Sequence, residues 1–226
     1  MNEDDLMQVL TEDEVLQRSV LEELEWDPRI NAANIGVTVR HGVVTLTGQV
    51  GSYAEKVAAE HAALGVKGVR AIAQDIEVRL PNEKKCRDTD IAERAVKILE
   101  WDQFVPHERI AVEVANGWLT LSGEVGWQYE KTATEAAVRA LSGVRGISNE
   151  ITVKPQVVAT DVRHNIEQAF KRNAELEASH VTVTAEGDTI TLSGTVRTYH
   201  EREMAEGAVW SAPGIKHVRN EITVEP

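Results

Sequence analysis

The sequence predicts an α+β protein of three tandem units, each of order αββαβ, with a three-stranded mixed sheet and two helices on one of its faces. Three observations predict it. The first is a recurrent text: Gly42-Val-Val-Thr-Leu-Thr-Gly-Gln-Val, Gly117-Trp-Leu-Thr-Leu-Ser-Gly-Glu-Val and, with one extra residue, Gly187-Asp-Thr-Ile-Thr-Leu-Ser-Gly-Thr-Val. Gly48, Gly123 and Gly194 align, as do Gly68, Gly143 and Gly214, at offsets of 75 and then 71 residues. Self-similarity at a fixed period sets the domain count ahead of any average domain size. The second observation is that the apolar period within each copy switches from helical spacing to strict alternation and back. The third is a helical stretch between the last two strands, which favours a parallel, right-handed crossover. The expected division is an acidic lead-in at 1–12 and units at 13–80, 88–154 and 160–226. Short proline-led linkers, 81–88 and 155–159, join them.

The first helix of each unit is read from its register. Leu16, Val20 and Leu24 align with Ile91, Ala95 and Leu99, and with Val162, Ile166 and Phe170. Spacing i, i+4, i+8 puts each set on one stripe of a helix. Thr11 with Glu14 fits a capping box, and Thr89 and Thr160 are the expected N-caps of the later copies. The first strand alternates Ile35, Val37 and Val39 with polar or small residues. Ile110, Val112 and Val114 repeat this, as do Val181 and Val183, so one sheet face is covered and the other is not. Tight turns follow at His41-Gly42, Asn116-Gly117 and Gly187-Asp188. The second strand buries Val44 and Leu46, Leu119 and Leu121, or Ile190 and Leu192. The glycine after each pair allows a bulge or a close backbone approach. The second helix opens with capping boxes at Ser52/Glu55 and Thr198/Glu201; Trp127 takes the cap position in the middle copy. Its inner positions are expected at Ala58 and Ala62, Ala133 and Ala137, and Met204 and Ala208. The third strand turns Ile72, Ile76 and Val78 inward, then Ile147, Ile151 and Val153, then Val218, Ile222 and Val224.

These residues resemble the BON domain, a bacterial module named after osmotically inducible and nodulation proteins. The resemblance rests on Gly-x-Val-x-Leu-x-Gly-x-Val, the following Glu-Lys, the alanine-rich helix and Gly-Val/Ile-x-x-Ile/Val-x-Asn-x-Ile at 143–151 and 214–222. It covers residues 13–226, with Gln74 standing where Asn149 and Asn220 stand. It implies a non-enzymatic module that binds phospholipid membranes and serves osmotic or envelope stress. A potassium-binding member of the family adds a cytoplasmic potassium-ion sensor as an alternative.

Composition narrows the classes. The net charge is −13 and no stretch is basic. Nucleic-acid surfaces and anionic-lipid surfaces both call for clustered Lys and Arg, so nucleic acid is not an expected partner. The opening Met-Asn-Glu-Asp-Asp-Leu lacks the basic and apolar regions of a secretory signal. A cytoplasmic location is expected, or a periplasmic one if a signal peptide has been removed. Cys86 lies in a polar linker and reads as a solvated thiol. His107-Glu108-Arg109 is not a zinc signature and the seven histidines are scattered, so neither metal nor cofactor is expected.

Two patterns remain as site candidates. Glu55-Lys56, Glu130-Lys131 and Glu201-Arg202 recur, and read as a capping glutamate beside a solvated cation. Trp26 and Trp101 lie one repeat apart, each in Leu-Glu-Trp-Asp, and their shared position reads as a structural plug. Trp118, Trp127 and Trp210 have no counterparts in the other copies. They are the candidate binding residues, with packing between units as the alternative. The glycines at 48, 123, 194, 68, 143 and 214 read as structural. The function expected is non-catalytic binding of a membrane surface through Trp118 and Trp127. The alternative is a self-associating or partner-bridging scaffold, with the oligomeric state left open.

Overall fold

A computed structural model describes residues 11–81, 86–154, 162–172, 180–186, 189–212, 215 and 217–225. The lead-in residues 1–10, the linker residues 82–85 and 155–159, Thr160, Gly187, Asp188 and Gly214 lie outside the described residues, as does the side chain of Val162. Each unit follows the predicted order. Unit one has α1 (Glu12–Trp26), β1 (Ile35–Arg40), β2 (Val43–Val50), α2 (Tyr53–Gly65) and β3 (Ala71–Val78). Unit two has α3 (Asp88–Trp101), β4 (Ile110–Ala115), β5 (Trp118–Val125), α4 (Gln128–Arg139) and β6 (Gly146–Val153). Unit three has α5 (Val162–Arg172), β7 (His180–Glu186), β8 (Thr189–Val196), α6 (Tyr199–Trp210) and β9 (His217–Val224). In every unit the first two strands pair antiparallel, and the second and third pair parallel.

The cores follow the two periods. Val20 and Leu24, Ile91 and Leu99, and Ile166 and Phe170 are buried against Leu46, Leu121 and Leu192. The second helices correct the expectation by one residue. The fully buried stripe is Ala59 and Ala63, Thr134 and Val138, and Ala205 and Val209; of the expected residues Ala58 is also buried, and Ala62, Ala133, Ala137, Met204 and Ala208 pack half-buried beside the stripe. Alanine-rich helices carry little contrast between faces, so periodicity alone misplaced the stripe. Thr134 is admitted to the core because its hydroxyl donates to the Glu130 carbonyl at 2.6 Å, which satisfies the polar atom within the helix.

The caps differ in detail. Thr11 and Glu14 form the predicted box. Thr89, however, lies inside α3, whose cap position is Arg87 with no side-chain cap bond. Neighbouring Asp88 turns away to the hairpin, where its carboxylate accepts from the backbone N–H groups of Asn116 (2.7 Å) and Gly117 (2.9 Å). Asp13 does the same for His41 and Gly42 in unit one. Both turns hold their two central residues at positive φ, the type I′ geometry that suits a twisted hairpin. The aspartate thus ties the start of the first helix to the tip of the hairpin.

Asp27 offers a test of acid stability. Its carboxylate accepts from the Arg29 guanidinium and from the Arg29 backbone, and the pair holds its pKa down at about 2. A carboxyl depressed on folding contributes stability that is present above its ordinary value of about 4 and lost as pH falls towards 2. Asp27→Asn should therefore flatten the acid limb of an unfolding titration between about pH 4 and 2 while leaving neutral stability within about 1 kcal/mol.

The units meet through the first residues of their second helices. Tyr53, at the start of α2, packs against the core of unit two. Burial there pushes its phenol pKa up, with the Glu135 carboxylate acting in the same direction. Tyr199, at the start of α6, donates its hydroxyl to the backbone carbonyl of Arg70 in unit one, and α6 contacts α2. The start of α4 in unit two faces the end of α6 in unit three. One onto two, two beside three, three onto one: the contacts run in a single sense, the head-to-tail order of a closed ring.

Candidate functional site

The recurrent polar residues are consumed by the fold. Glu55 accepts from the N–H groups of Gly51 and Asn31, Glu130 from those of Gly126 and Trp127, and Glu201 from that of Arg197. Each glutamate satisfies donors in the bend before its helix. In units one and three the cation beside it is not simply solvated, contrary to the sequence reading. Lys56 Nζ donates to the Ile76 carbonyl at 2.7 Å, and the Arg202 guanidinium donates to the carbonyls of Ile222 and Asn220. These bonds tie the second helix to the third strand. Asn149 and Asn220 tie it again, donating to Glu135 and Glu206 on the same helices. Gln74 reaches Glu60 in unit one at 3.4 Å but leaves its own carbonyl oxygen buried without a partner.

The remaining chemistry is sparse. Among the described residues no group of three or more His, Cys, Asp or Glu could hold a metal ion. Cys86 is half-buried against the core of unit two, with Arg94 Nη1 at 3.6 Å from its sulfur. It is therefore less solvated than its linker position predicts. Among the described residues no helix is long and apolar enough to cross a membrane.

The aromatic residues carry the site. Trp26 and Trp101 overturn their expected role as plugs, being 83% and 88% exposed, and Phe104 beside the second of them is also exposed. The register of the helix could have shown this. At 100° per residue, Trp26 lies about 200° around the helix from Leu24, on the face away from the sheet. Identical position in two copies suggested a buried duty, but the residues at 26 and 101 repeat on the outside.

The three candidate tryptophans do not converge on one place. Trp118 lies on the open face of the unit-two sheet, 50% exposed. Its ring covers Gly146 on the paired strand, where any Cβ would come within 2.3 Å of it, and its Nε1 donates to Ser148 Oγ at 2.9 Å. Trp127 and Trp210 do come together. They wall a cleft of about 690 Å³ between α4 and the end of α6, with Tyr129, Ala133 and Ala136 along its floor and side. Trp127 is 38% exposed with its ring centroid 6.4 Å from that of Tyr129. Trp210 is half-buried, its Nε1 donating to Glu206 at 3.4 Å. Sequence alone could not pair residues from two different units, because that depends on how the units dock.

The glycines hold this frame. Gly48, Gly123 and Gly194 have φ of 125°, 140° and 127°. A Cβ at Gly48 or Gly123 would stand 2.1 Å from the carbonyl oxygen of Asn34 or Arg109, and the strand register runs through both glycines without a bulge. Gly68 and Gly143 also have positive φ, and a Cβ on Gly143 would meet Ile91 at 2.8 Å.

Comparison with known proteins places these features in a family. A family model described as the BON domain matches three times, at residues 12–79, 87–155 and 159–226. Among curated proteins, the osmotically-inducible protein Y of Escherichia coli (strain K12) is 31% identical over 129 residues, which is 55% of this chain and 64% of that protein. The match thus spans just under two thirds of that relative's length. Among solved structures, the C-terminal domain of CdsD, a structural protein of the type III secretion system of Chlamydia trachomatis, is 12% identical over the full length of both chains, at a TM-score of 0.26. The PrgH periplasmic domain is 10% identical, covering 91% of this chain and 100% of that one, at a TM-score of 0.22. Likenesses at that level carry no argument about function.

Proposed function

This chain belongs to the BON-domain family, with three copies in succession, and from that premise we propose that it is a non-catalytic binding protein of the osmotic response that associates with phospholipid membrane surfaces. The osmotic part rests on its likeness to the osmotically-inducible protein Y. The membrane part rests on one observation: Trp26 and Trp101 stand almost wholly in water, at equivalent places on two units. Indole is the side chain best suited to the boundary between headgroups and acyl chains, because its ring is apolar and its N–H is a donor. Both indoles, with exposed Phe104 three residues beyond the second, offer aromatic surface that would enter a bilayer.

Charge sets the lipid preference. Each indole is flanked by acids, Glu25 and Asp27 or Glu100 and Asp102, in a chain of net charge −13. Anionic headgroups therefore repel these indole sites, and association proceeds by insertion into a zwitterionic surface.

Co-sedimentation with phosphatidylcholine vesicles tests this reading. The wild-type chain should pellet with the vesicles, and added phosphatidylserine should release it. The double variant Trp26→Ala, Trp101→Ala should bind at least about tenfold more weakly, since each indole buries on the order of 200 Å². Trp118→Ala should bind as the wild type does. A wild-type chain that stays in the supernatant at every lipid composition would sink the proposal.

A further inference from the structure

The cleft between α4 and α6 is one of three equivalent junctions, and its two counterparts are filled from within the chain. The residue that opens each second helix faces the next unit of the ring, and these residues are Tyr53, Gln128 and Tyr199. Tyr53 lies against the core of unit two. Tyr199 reaches the Arg70 carbonyl of unit one with its hydroxyl and lies under the Arg202 guanidinium, 5.7 Å from its ring centroid. The junction between units two and three has Gln128 at this position instead of a tyrosine, and a cleft opens there.

We propose that this cleft is a socket for a tyrosine side chain carried by an extended segment of a partner protein, in the place that Tyr53 and Tyr199 occupy at the other two junctions. The surroundings suit that occupant. Trp127 and Trp210 offer aromatic walls, against which a ring gains offset or edge-on contacts beyond its burial. Ala133 and Ala136 leave a shallow floor for it, and the Gln128 amide and Ser211 hydroxyl are polar partners at the margin. The volume, about 690 Å³, lies within the range of ligand sites and exceeds a single phenol, leaving room for the residues on either side of the tyrosine. With a net charge of −13 on the chain, those flanking residues are neutral or basic. The inference stands apart from membrane association, because Trp26 and Trp101 do not line the cleft.

The experiment follows the five indole N–H signals of the full chain by NMR during titration with N-acetyltyrosinamide and, in parallel, N-acetylleucinamide. The tyrosine amide should shift the signals of Trp127 and Trp210 saturably and leave those of Trp26 and Trp101 in place, while the leucine amide should act at least about tenfold more weakly. Gln128→Tyr should fill the socket from inside, abolish the shifts and raise the thermal midpoint. Ala136→Phe, at an exposed helical site on the cleft floor, should block the tyrosine amide independently, so the result does not depend on one variant folding. Equal response to the two amides, or undiminished binding by both variants, would overturn the proposal. So would a cleft that ignores the tyrosine amide yet closes over a second copy, seen as a dimer in sedimentation that Gln128→Tyr dissociates.

Discussion

Gly123→Ala is expected to lower the thermal midpoint of unit two by more than about 10 °C. The position demands φ near 140°, a conformation that costs a residue with a side chain roughly 1–3 kcal/mol. The added methyl would also stand 2.1 Å from the Arg109 carbonyl oxygen, and that oxygen belongs to backbone just ahead of β4, so it cannot swing aside as a side chain would. Relieving the overlap means separating β4 from β5 at their paired end, Ile110 opposite Gly123. With both effects the loss is about 3 kcal/mol or more, a large share of what a unit of this size holds. For a domain of this size each kcal/mol moves the midpoint by about 4–8 °C. Gly65→Ala is the control. It lies in α2 with nothing within 4 Å of where the new methyl would sit and no positive φ, so it should be neutral or stabilising by up to about 1 kcal/mol. Calorimetry of the two variants decides. A Gly123→Ala protein that melts with the wild type would mean that the close approach is not obligatory.

Leu121→Ala should cost about 2–5 kcal/mol, the range for truncating a leucine in a packed core. Leu121 is completely buried, as are its counterparts Leu46 and Leu192, and each lies beneath the two helices of its own unit. The more informative result is where the damage spreads. Each unit has its own core, so amides of β4, β5 and β6 should lose hydrogen-exchange protection by at least about thirtyfold. Those of unit three should lose much less. Unit one should show an intermediate loss near α2, because Tyr53 rests on the core that Leu121 supports. Equal loss from β1 through β9 would show instead that the ring opens as a single cooperative body.

Much of the fold could be read before any coordinates because it depends on local rules repeated three times. The stripe of Leu16, Val20 and Leu24, the alternation of Val44 and Leu46, and the capping pair Ser52 and Glu55 each follow from side-chain period or backbone donor count. Repetition then turned three weak readings into one strong one. The failures have an equally local cause. The second helices are so rich in alanine that neither face stands out, and the buried stripe fell one residue away from its expected place. Asp13 and Asp88 escaped notice because they look like ordinary first-turn acids. Their work, gripping a turn 28 and 29 residues further along, shows only when the hairpin is folded back over the helix.

By itself the sequence determined the number of units, their order of helices and strands, and the inward residues of the strands. These rest on period, handedness and the special backbone of glycine, all of which act within a few tens of residues. Only the tertiary structure decided which aromatic residues of different units meet one another. Trp127 and Trp210, 83 residues apart in the chain, came to share a cleft. The physical reason is that docking between units is settled by small differences in contact at surfaces that the repeat leaves free to vary. A tyrosine at 53 and 199 and a glutamine at 128 are alike to a helix, but they differ decisively at a junction.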